Sequence, residues 1–550
     1  MLSSKPMSTS MLFRKISIAC ATASAIFVLG LSASRALAAD AAPAPAAGIH
    51  NVRDYGAVGD AKTLDTPAIN RAIAAAAAAG GGTVFFPSGT YLSVSIHLKS
   101  NISLYLDQGA VILAASPKDN DSFRYDPPEP NENNQYQDFG HTHFHNSLIW
   151  GENLENISIL GPGLINGAGL VSGGSQSRDK AANDAIPRDA APAGMTRGPF
   201  GYPSARDAVE DGWGNKAISL KLCRNVIIRD VSILRGGHFG ILATGVDNLT
   251  LDNLKIDTNR DGMDIDGCRQ VRVSNCTVNS PNDDGICLKS SYPLGRPIPC
   301  ENITITNCQV SGFAAGSVLD GTYKRTSNNP TGRIKFGTES NGGFKNITIS
   351  NCVFEYCRGL ALESVDGALL EDIAISNITM RDIVNAPIYL RLGARLRGPS
   401  ETTKVGTLTR VKIDTIVAHN VAAGQGILIV GLPDNKGAIE DVTLSNIFMD
   451  FQGGGTAEQA KREMPEMETA YPEPRSHGDT PSWALFARHA KNLTIRDVEF
   501  RTAKPDARPA IVLDDVADAS LERIKLPPQA AGETKENIVL RNGATLAPKE

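Results

Sequence analysis

One repeat, about 22 residues long, recurs down the chain and restricts the folds open to it. Each copy is a polar residue, an alternating apolar stretch, a polar corner and a second short apolar stretch. It reads NISLYL from Asn101, NISILGPGLING from Asn156, NVIIRDVSIL from Asn225 and NLTLDNLKI from Asn248. It continues as QVRVSNCTV from Gln270, NITITNCQV from Asn302, NITISNCVF from Asn346 and DIAISNITM from Asp372. Later copies are DVTLSNIFM from Asp441 and NLTIRDVEF from Asn492, with a weaker one near Asp518. The starts at Asn225, Asn248 and Gln270 are almost evenly spaced. Alternation with period two, rich in Ile, Val and Thr, predicts strands. A single coil of this length cannot bury its apolar face, so stacked coils are required. The prediction is an all-β chain, one right-handed parallel β-helix over residues 49–550. The wider intervals before Asn302 and before Asn346 are read as coils with loop insertions.

The two ends and the breaks in rhythm complete the layout. Lys5, Arg14 and Lys15 precede an apolar run from Ile16 to Leu31 and then Ala36-Leu37-Ala38, the pattern of a secretory signal peptide over 1–38. Residues 39–48 read as a Pro/Ala spacer. Export to a periplasm or the extracellular space is expected. Asp65-Thr66-Pro67 predicts a helix start with a capping side chain, Ala68 to Ala79 its body, and Gly80 to Gly82 its stop; such a helix would cover the exposed first coil. Residues 117–146, 169–212 and 453–482 interrupt the repeat and are candidate cleft walls.

Net charge is −5 without a basic tract, which argues against a nucleic-acid partner. No later run reaches the roughly 18 apolar residues of a membrane span, so no membrane partner is expected, and oligomeric state is left open. Cys276, Cys308 and Cys352 occupy near-identical settings, each after Asn, and are read as stacked inward side chains instead of a disulfide framework. There is no zinc-type Cys/His spacing.

The chemistry concentrates between Asn259 and Lys289. Asp261, Asp264 and Asp266 lie on one coil, and Asp283 and Asp284 follow Asp261 at the interval that separates successive copies of the repeat. That is one coil, so with neighbouring strands about 4.8 Å apart the pair should stack above Asp261. Acids this close cannot all ionise, so at least one should hold a proton while the others activate water. Calcium binding and a solvated turn are the alternatives. Arg333 and Lys335, two apart on a strand, should share a face and suit a substrate that is itself a carboxylate. His141, His143 and His145 alternate, which would let them face one way as metal ligands or line a cleft.

With these residues in view, the chain resembles glycoside hydrolase family 28, the polygalacturonase and rhamnogalacturonan hydrolase family. Its opening NVRDYGAVGD and GGGTVFFPSGTY also resemble that family's first segment. The family's Asn-Thr-Asp element matches Asn259-Arg260-Asp261 with Arg in place of Thr; its acid pair matches Asp283-Asp284; its Arg-Ile-Lys matches Arg333-Ile334-Lys335. The resemblance implies a pectin-lyase-like solenoid and a catalytic trio, with Asp283 as general acid and Asp261 and Asp284 holding and deprotonating water. It implies substrate contacts from Arg333 and Lys335, inversion in one displacement, and no metal or other cofactor; Asn259, Asp264 and His238 are further candidates for substrate binding. Inverting enzymes ordinarily separate their carboxyls by about 6.5–9.5 Å. The family's Gly-His-Gly falls at Gly312-Phe313-Ala314, without its histidine; His238, about one coil before Asp261, is the candidate to replace it.

The leading expectation is therefore a hydrolase cleaving α-linked galacturonosyl or related linkages of pectic polysaccharide, with exo action suggested by the insertions. A rhamnogalacturonan-directed relative, a calcium-dependent pectate-lyase-like β-helix and a non-catalytic carbohydrate-binding β-helix are the other readings.

Overall fold

The computed structural model describes residues 48–137, 140–171, 212–434, 437, 439–528 and 536–548, all within one compact unit. The expected signal peptide, the spacer up to Ala47 and all but the edges of the 169–212 insertion lie outside them. Every pairing between named strands is parallel, and successive coils stack into three long ladders. The first ladder carries the repeat's main strand. Val226 and Ile228 lie in register with Leu249 and Leu251, then Val271 and Val273, then Ile303 and Ile305, then Ile347 and Ile349. All are buried, while the residues between them, such as Arg272 and Thr348, point outward. A right-handed parallel β-helix is the fold, as the repeat predicts.

The polar residue that opens each copy has a backbone reason. Asn101, Asn156, Asn225, Asn248, Asn302 and Asn346 all have φ between 54° and 63°, the left-handed region that asparagine tolerates better than most residues. Their amides then form a column: Asn156 donates to Asn101 and Asn225 to Asn156 at 2.9 Å, and Asn248 to Asn225 at 2.8 Å. The second corner repeats the device at Asn253, Asn275, Asn307, Asn351 and Asn377. Cys276, Cys308 and Cys352 follow three of these corners, buried and unbridged, and the five other described cysteines are also buried free thiols. The stacked-thiol reading holds.

The helix spans Thr66–Ala78 and turns Ile69, Ala72, Ile73 and Ala76 onto the first coils. One detail differs from expectation. Asp65 does not cap the helix with its side chain; it accepts from the backbone N–H groups of Val58 and Gly59 at 2.7 and 3.0 Å. Two short bonds to the preceding loop satisfy the carboxylate and draw it away from the helix amides. No helix among the described residues is long and apolar enough to cross a membrane.

The three insertions share one corner. Each links a short strand of the second ladder (Ala110–Ala114, Leu164–Asn166 and the end of Ile439–Gly453) to a strand of the third ladder (Ile149–Glu152, Lys216–Lys221 and Leu485–Lys491). The third ladder also holds Asp261–Asp266, Ile286–Ser290, Ile334–Ser340 and Leu360–Ser364 in succession. The described parts of 117–146 and 453–482 therefore reach the acids, through His141 beside Asp264 and Glu473 on Arg333.

The corner argument predicts the outcome of two substitutions at exposed Asn225. Asn225→Gly loses the amide column but also sheds the Cβ that strains the left-handed region, whereas Asn225→Ala keeps that Cβ without the asparagine side chain that eases it, about 1 kcal/mol more costly than glycine. Thermal or urea unfolding should rank the alanine variant below the glycine variant; the reverse order would refute the corner argument.

Candidate active site

Alternation on the third ladder selects which side chains build the site. Met263 and Ile265, Ile286 and Leu288, Ile334 and Phe336, and Leu360 and Leu362 turn into the core. Asp264 and Asp266, Cys287 and Lys289, Arg333 and Lys335, and Ala361 and Glu363 consequently face the other way. Register then stacks Asp264, Cys287, Lys335 and Ala361 in one column, with Asp266 beside Lys289.

The expected trio assembles. One oxygen from each of Asp261, Asp283 and Asp284 lies within 4.8 Å of the others. Asp261 and Asp284 are buried, whereas the Asp283 side chain is 26% exposed and is the member open to a substrate. Oxygens this close fall short of the usual inverting separation. A water making two hydrogen bonds of about 2.8 Å can still bridge two of them.

Electrostatics separates the members. Burial would raise the Asp284 pKa, but Lys335 and then Arg333 override it and hold this carboxylate well below the usual range. The Arg333 Nε donates to its Oδ1 at 2.8 Å and Lys335 Nζ lies 3.1 Å from its Oδ2. Asp261 moves the other way, pushed well up by burial and then by Asp264 and Asp283; its Oδ1 is buried without a hydrogen bond. Asp264 is pushed up to about 7 by burial, opposed by Lys289 at 3.6 Å. Asp266, bonded by the Ser291 N–H, is pushed by burial to about 6. With titrations so entangled, the protons belong to the cluster more than to one residue.

Arg333 and Lys335 do share a face, yet both are almost wholly buried. Arg333 also bonds Glu473 at 2.8 Å, and Lys335 lies 3.7 Å from Glu363 with the Tyr471 ring over it. Their charge is engaged by the protein's own acids, so direct grip on a substrate carboxylate gives way to holding Asp284. Asn259 is half-buried and accepts from the Asn282 amide one coil on, at 2.6 Å. Arg260, where the family pattern has Thr, forms an ion pair with Asp283 itself.

At the missing-histidine position Phe313 is buried and its backbone is clamped by Asn279 through bonds of 2.9 and 2.8 Å. His238 precedes Phe239, which is in register with Asp261 one coil on. Its ring packs on Phe239 with centroids 4.4 Å apart, and burial, then Arg260, holds it neutral, well below its ordinary pKa. The three alternating histidines diverge. His141 sits 3.7 Å from Asp264 and 3.3 Å from Lys289, His143 meets the Glu129 carbonyl, and His145 pairs with Glu152 at 2.9 Å. They form no common metal set.

Several participants escaped the sequence reading: Lys289, Glu363, Arg358, Tyr471 and Glu473. Burial pushes Glu363 up to about 7 against the pull of Lys335 and Arg333. Lys289 and Glu363 occupy outward strand positions and follow from extending the alternation. Tyr471 and Glu473 come from the 453–482 insertion, which carries no repeat to count. Three carboxylates so close also suggest a divalent cation. Arg333, Lys335 and Arg260 already sit on two of them, so the donor set fits an acid cluster neutralised from within better than a calcium cage.

Comparison with known proteins agrees with this fold. Residues 49–146 match the family model "Rhamnogalacturonase A/epimerase, pectate lyase-like", and 208–316 match "Right handed beta helix region". A Vitis vinifera protein named "Probable polygalacturonase" is 24% identical over 57% of this chain and 61% of its own length. The "Exo-poly-alpha-D-galacturonosidase" of Dickeya chrysanthemi is 25% identical over 42% of this chain and 40% of its own. The chain thus spans less than two thirds of either relative. The solved family 28 exopolygalacturonase of Yersinia enterocolitica shares the fold, with a TM-score of 0.57 and 18% identity over 92% of this chain and 79% of that one. The chain is similar to named polygalacturonases over part of its length and shares the fold of the solved exopolygalacturonase.

The raised Asp264 makes stability depend on pH. Unfolded, Asp264 ionises near 3.8; folded, it does so near 7. Between those values the folded state holds the extra proton, so stability falls as pH rises from about 4 to about 7. Asp264→Asn removes that loss. Its Tm relative to wild type should climb by about 2 °C or more between about pH 4.5 and pH 7.5, read by calorimetry. A pH-independent difference would contradict the assignment.

Proposed function

We propose that this chain is an exported, inverting glycoside hydrolase that cleaves α-linked galacturonosyl or related linkages of pectic polysaccharide from a chain end. Hydrolysis is carried by the trio with its oxygens within 4.8 Å, one member ionised by Lys335 and Arg333 and another pushed toward protonation; inversion rests on the resemblance to the family. Asp283, the exposed member, meets the glycosidic oxygen and donates its proton as the C1–O bond breaks. Water held between Asp261 and Asp284 attacks C1 from the opposite face and loses its proton to the ionised Asp284. The proton given to the leaving oxygen is the one the cluster holds at rest on Asp261, whose proton affinity is raised, and it reaches that oxygen through Asp283. Cleavage from an end is supported by the 453–482 insertion, whose Tyr471 and Glu473 close over Arg333 and Lys335, and by the name of the Dickeya relative. Export rests on the leader sequence, with a periplasm or the extracellular space as destination.

A rhamnogalacturonan backbone is the second reading, favoured by the description of the model matching 49–146 and by Phe313 where the polygalacturonase pattern has histidine. Incubation with polygalacturonate and rhamnogalacturonan oligomers, followed by NMR, separates the two and gives the first-formed anomer. Inverted configuration and one-unit products are expected, and Asp283→Asn should lower kcat about 10²–10⁴-fold. Retained configuration, or full activity in that variant, would sink the mechanism.

A further inference from the structure

With Arg333 and Lys335 engaged internally, a different group must meet an acidic sugar. The 453–482 insertion supplies one. Glu473 accepts from Arg333 at 2.8 Å and pairs with Arg358 at 3.0 Å. With the Asn329 amide oriented so that its oxygen faces donors, Arg475 Nη2 and Arg358 Nη2 donate to it at 2.9 Å and Arg475 Nη1 at 3.1 Å. Three guanidinium groups thus surround one carboxylate and one amide oxygen. Arg475 is the exposed member, and among the described residues no carboxylate lies within ion-pair distance of it. Partial burial and then Arg358 hold its pKa below the ordinary value against the pull of Glu473, which lies beyond ion-pair distance, as expected where cations outnumber acids.

Position favours a substrate role. The Arg358 N–H bonds the Thr331 carbonyl, and the Thr331 N–H bonds the Pro281 carbonyl. Arg358 is therefore two coils from the Asp283 loop, roughly 10 Å along the solenoid. The segment carrying Arg475 is firmly seated: the Gln425 amide donates to the Gly478 carbonyl at 2.9 Å, and His477 meets the Tyr389 hydroxyl at 3.2 Å. A planar fork held in place, exposed and short of an anion suits a carboxylate.

We infer that Arg475, with Arg358 behind it, binds the carboxylate of a uronosyl unit neighbouring the scissile bond, an inference that rests on the acidic-sugar reading above. The insertion then acts as a specificity wall. The test uses the full chain carrying Asp283→Asn, so that ligand persists, and calorimetry with a galacturonate trisaccharide and its carboxyl-reduced, neutral counterpart. Adding Arg475→Ala should weaken the acidic ligand about tenfold or more and leave the neutral one unchanged. Arg475→Lys should recover part of the loss. Equal affinity for the acidic ligand with and without Arg475, an equal loss for both ligands, or no binding of the acidic ligand at all would overturn the inference. Turnover by the wild type is read separately: acidic ligand bound through Arg475 but never cleaved would sink the hydrolase reading and leave this site standing.

Discussion

The site depends on the parallel register of the third ladder. Parallel strands about 4.8 Å apart place each outward side chain directly over its counterpart one coil before. That spacing suits apolar columns and is severe for charges. A column of acids alone would repel, and a column of cations alone would do the same. The chain alternates them: Asp264 and Asp266 are followed by Lys289, Asp284 by Arg333 and Lys335, and these by Glu363. Each charge is stabilised by the next coil, and the proton affinities follow from where the alternation is complete. Asp284, with two cations, ionises readily. Asp261, buried and then crowded by other acids, does not.

This register also explains how much was visible beforehand. The even spacing of the coils starting at Asn225, Asn248 and Gln270, together with asparagines that accept a left-handed backbone, pointed to the solenoid and to the stacking of Asp283 and Asp284 over Asp261. Arg333 and Lys335 were correctly put on one face, since period two is a local property. Their partners were harder to see. Glu363 lies on the next coil, two positions beyond the Ala361 that stacks on Lys335, an outward place that simple continuation of the alternation would reach. Glu473 lies 140 residues from Arg333 in sequence. No periodic argument reaches it, because the insertion returns to the ladder by its own packing against Tyr389, Arg391 and Gln425. Local motifs show which charges exist; long-range closure decides which of them remain available.

The Arg-Ile-Lys element illustrates the difference. From sequence, two cations on one face beside acids read as a grip for an acidic substrate. In the fold they are buried, and a buried cation without a partner would be strongly destabilising. Asp284, Glu363 and Glu473 supply those partners, so the pair becomes the scaffold that keeps Asp284 ionised. Substrate charge must then be met farther out, where solvent lowers the cost of an unpaired guanidinium before ligand arrives.

The same logic bears on the two departures from the family pattern. Arg260 replaces a neutral Thr and lands on Asp283, while the position that would carry histidine is filled by buried Phe313. One change adds a cation beside the exposed acid and the other removes a titratable group from the far side. After burial, Arg260 is the charge that most depresses the His238 pKa, and the same guanidinium pairs with Asp283. Proton transfer to the leaving oxygen would then be tuned by a permanent positive charge in place of a group that titrates near neutrality. Such a site would trade sensitivity to pH around the histidine range for dependence on the shared proton of the aspartate trio.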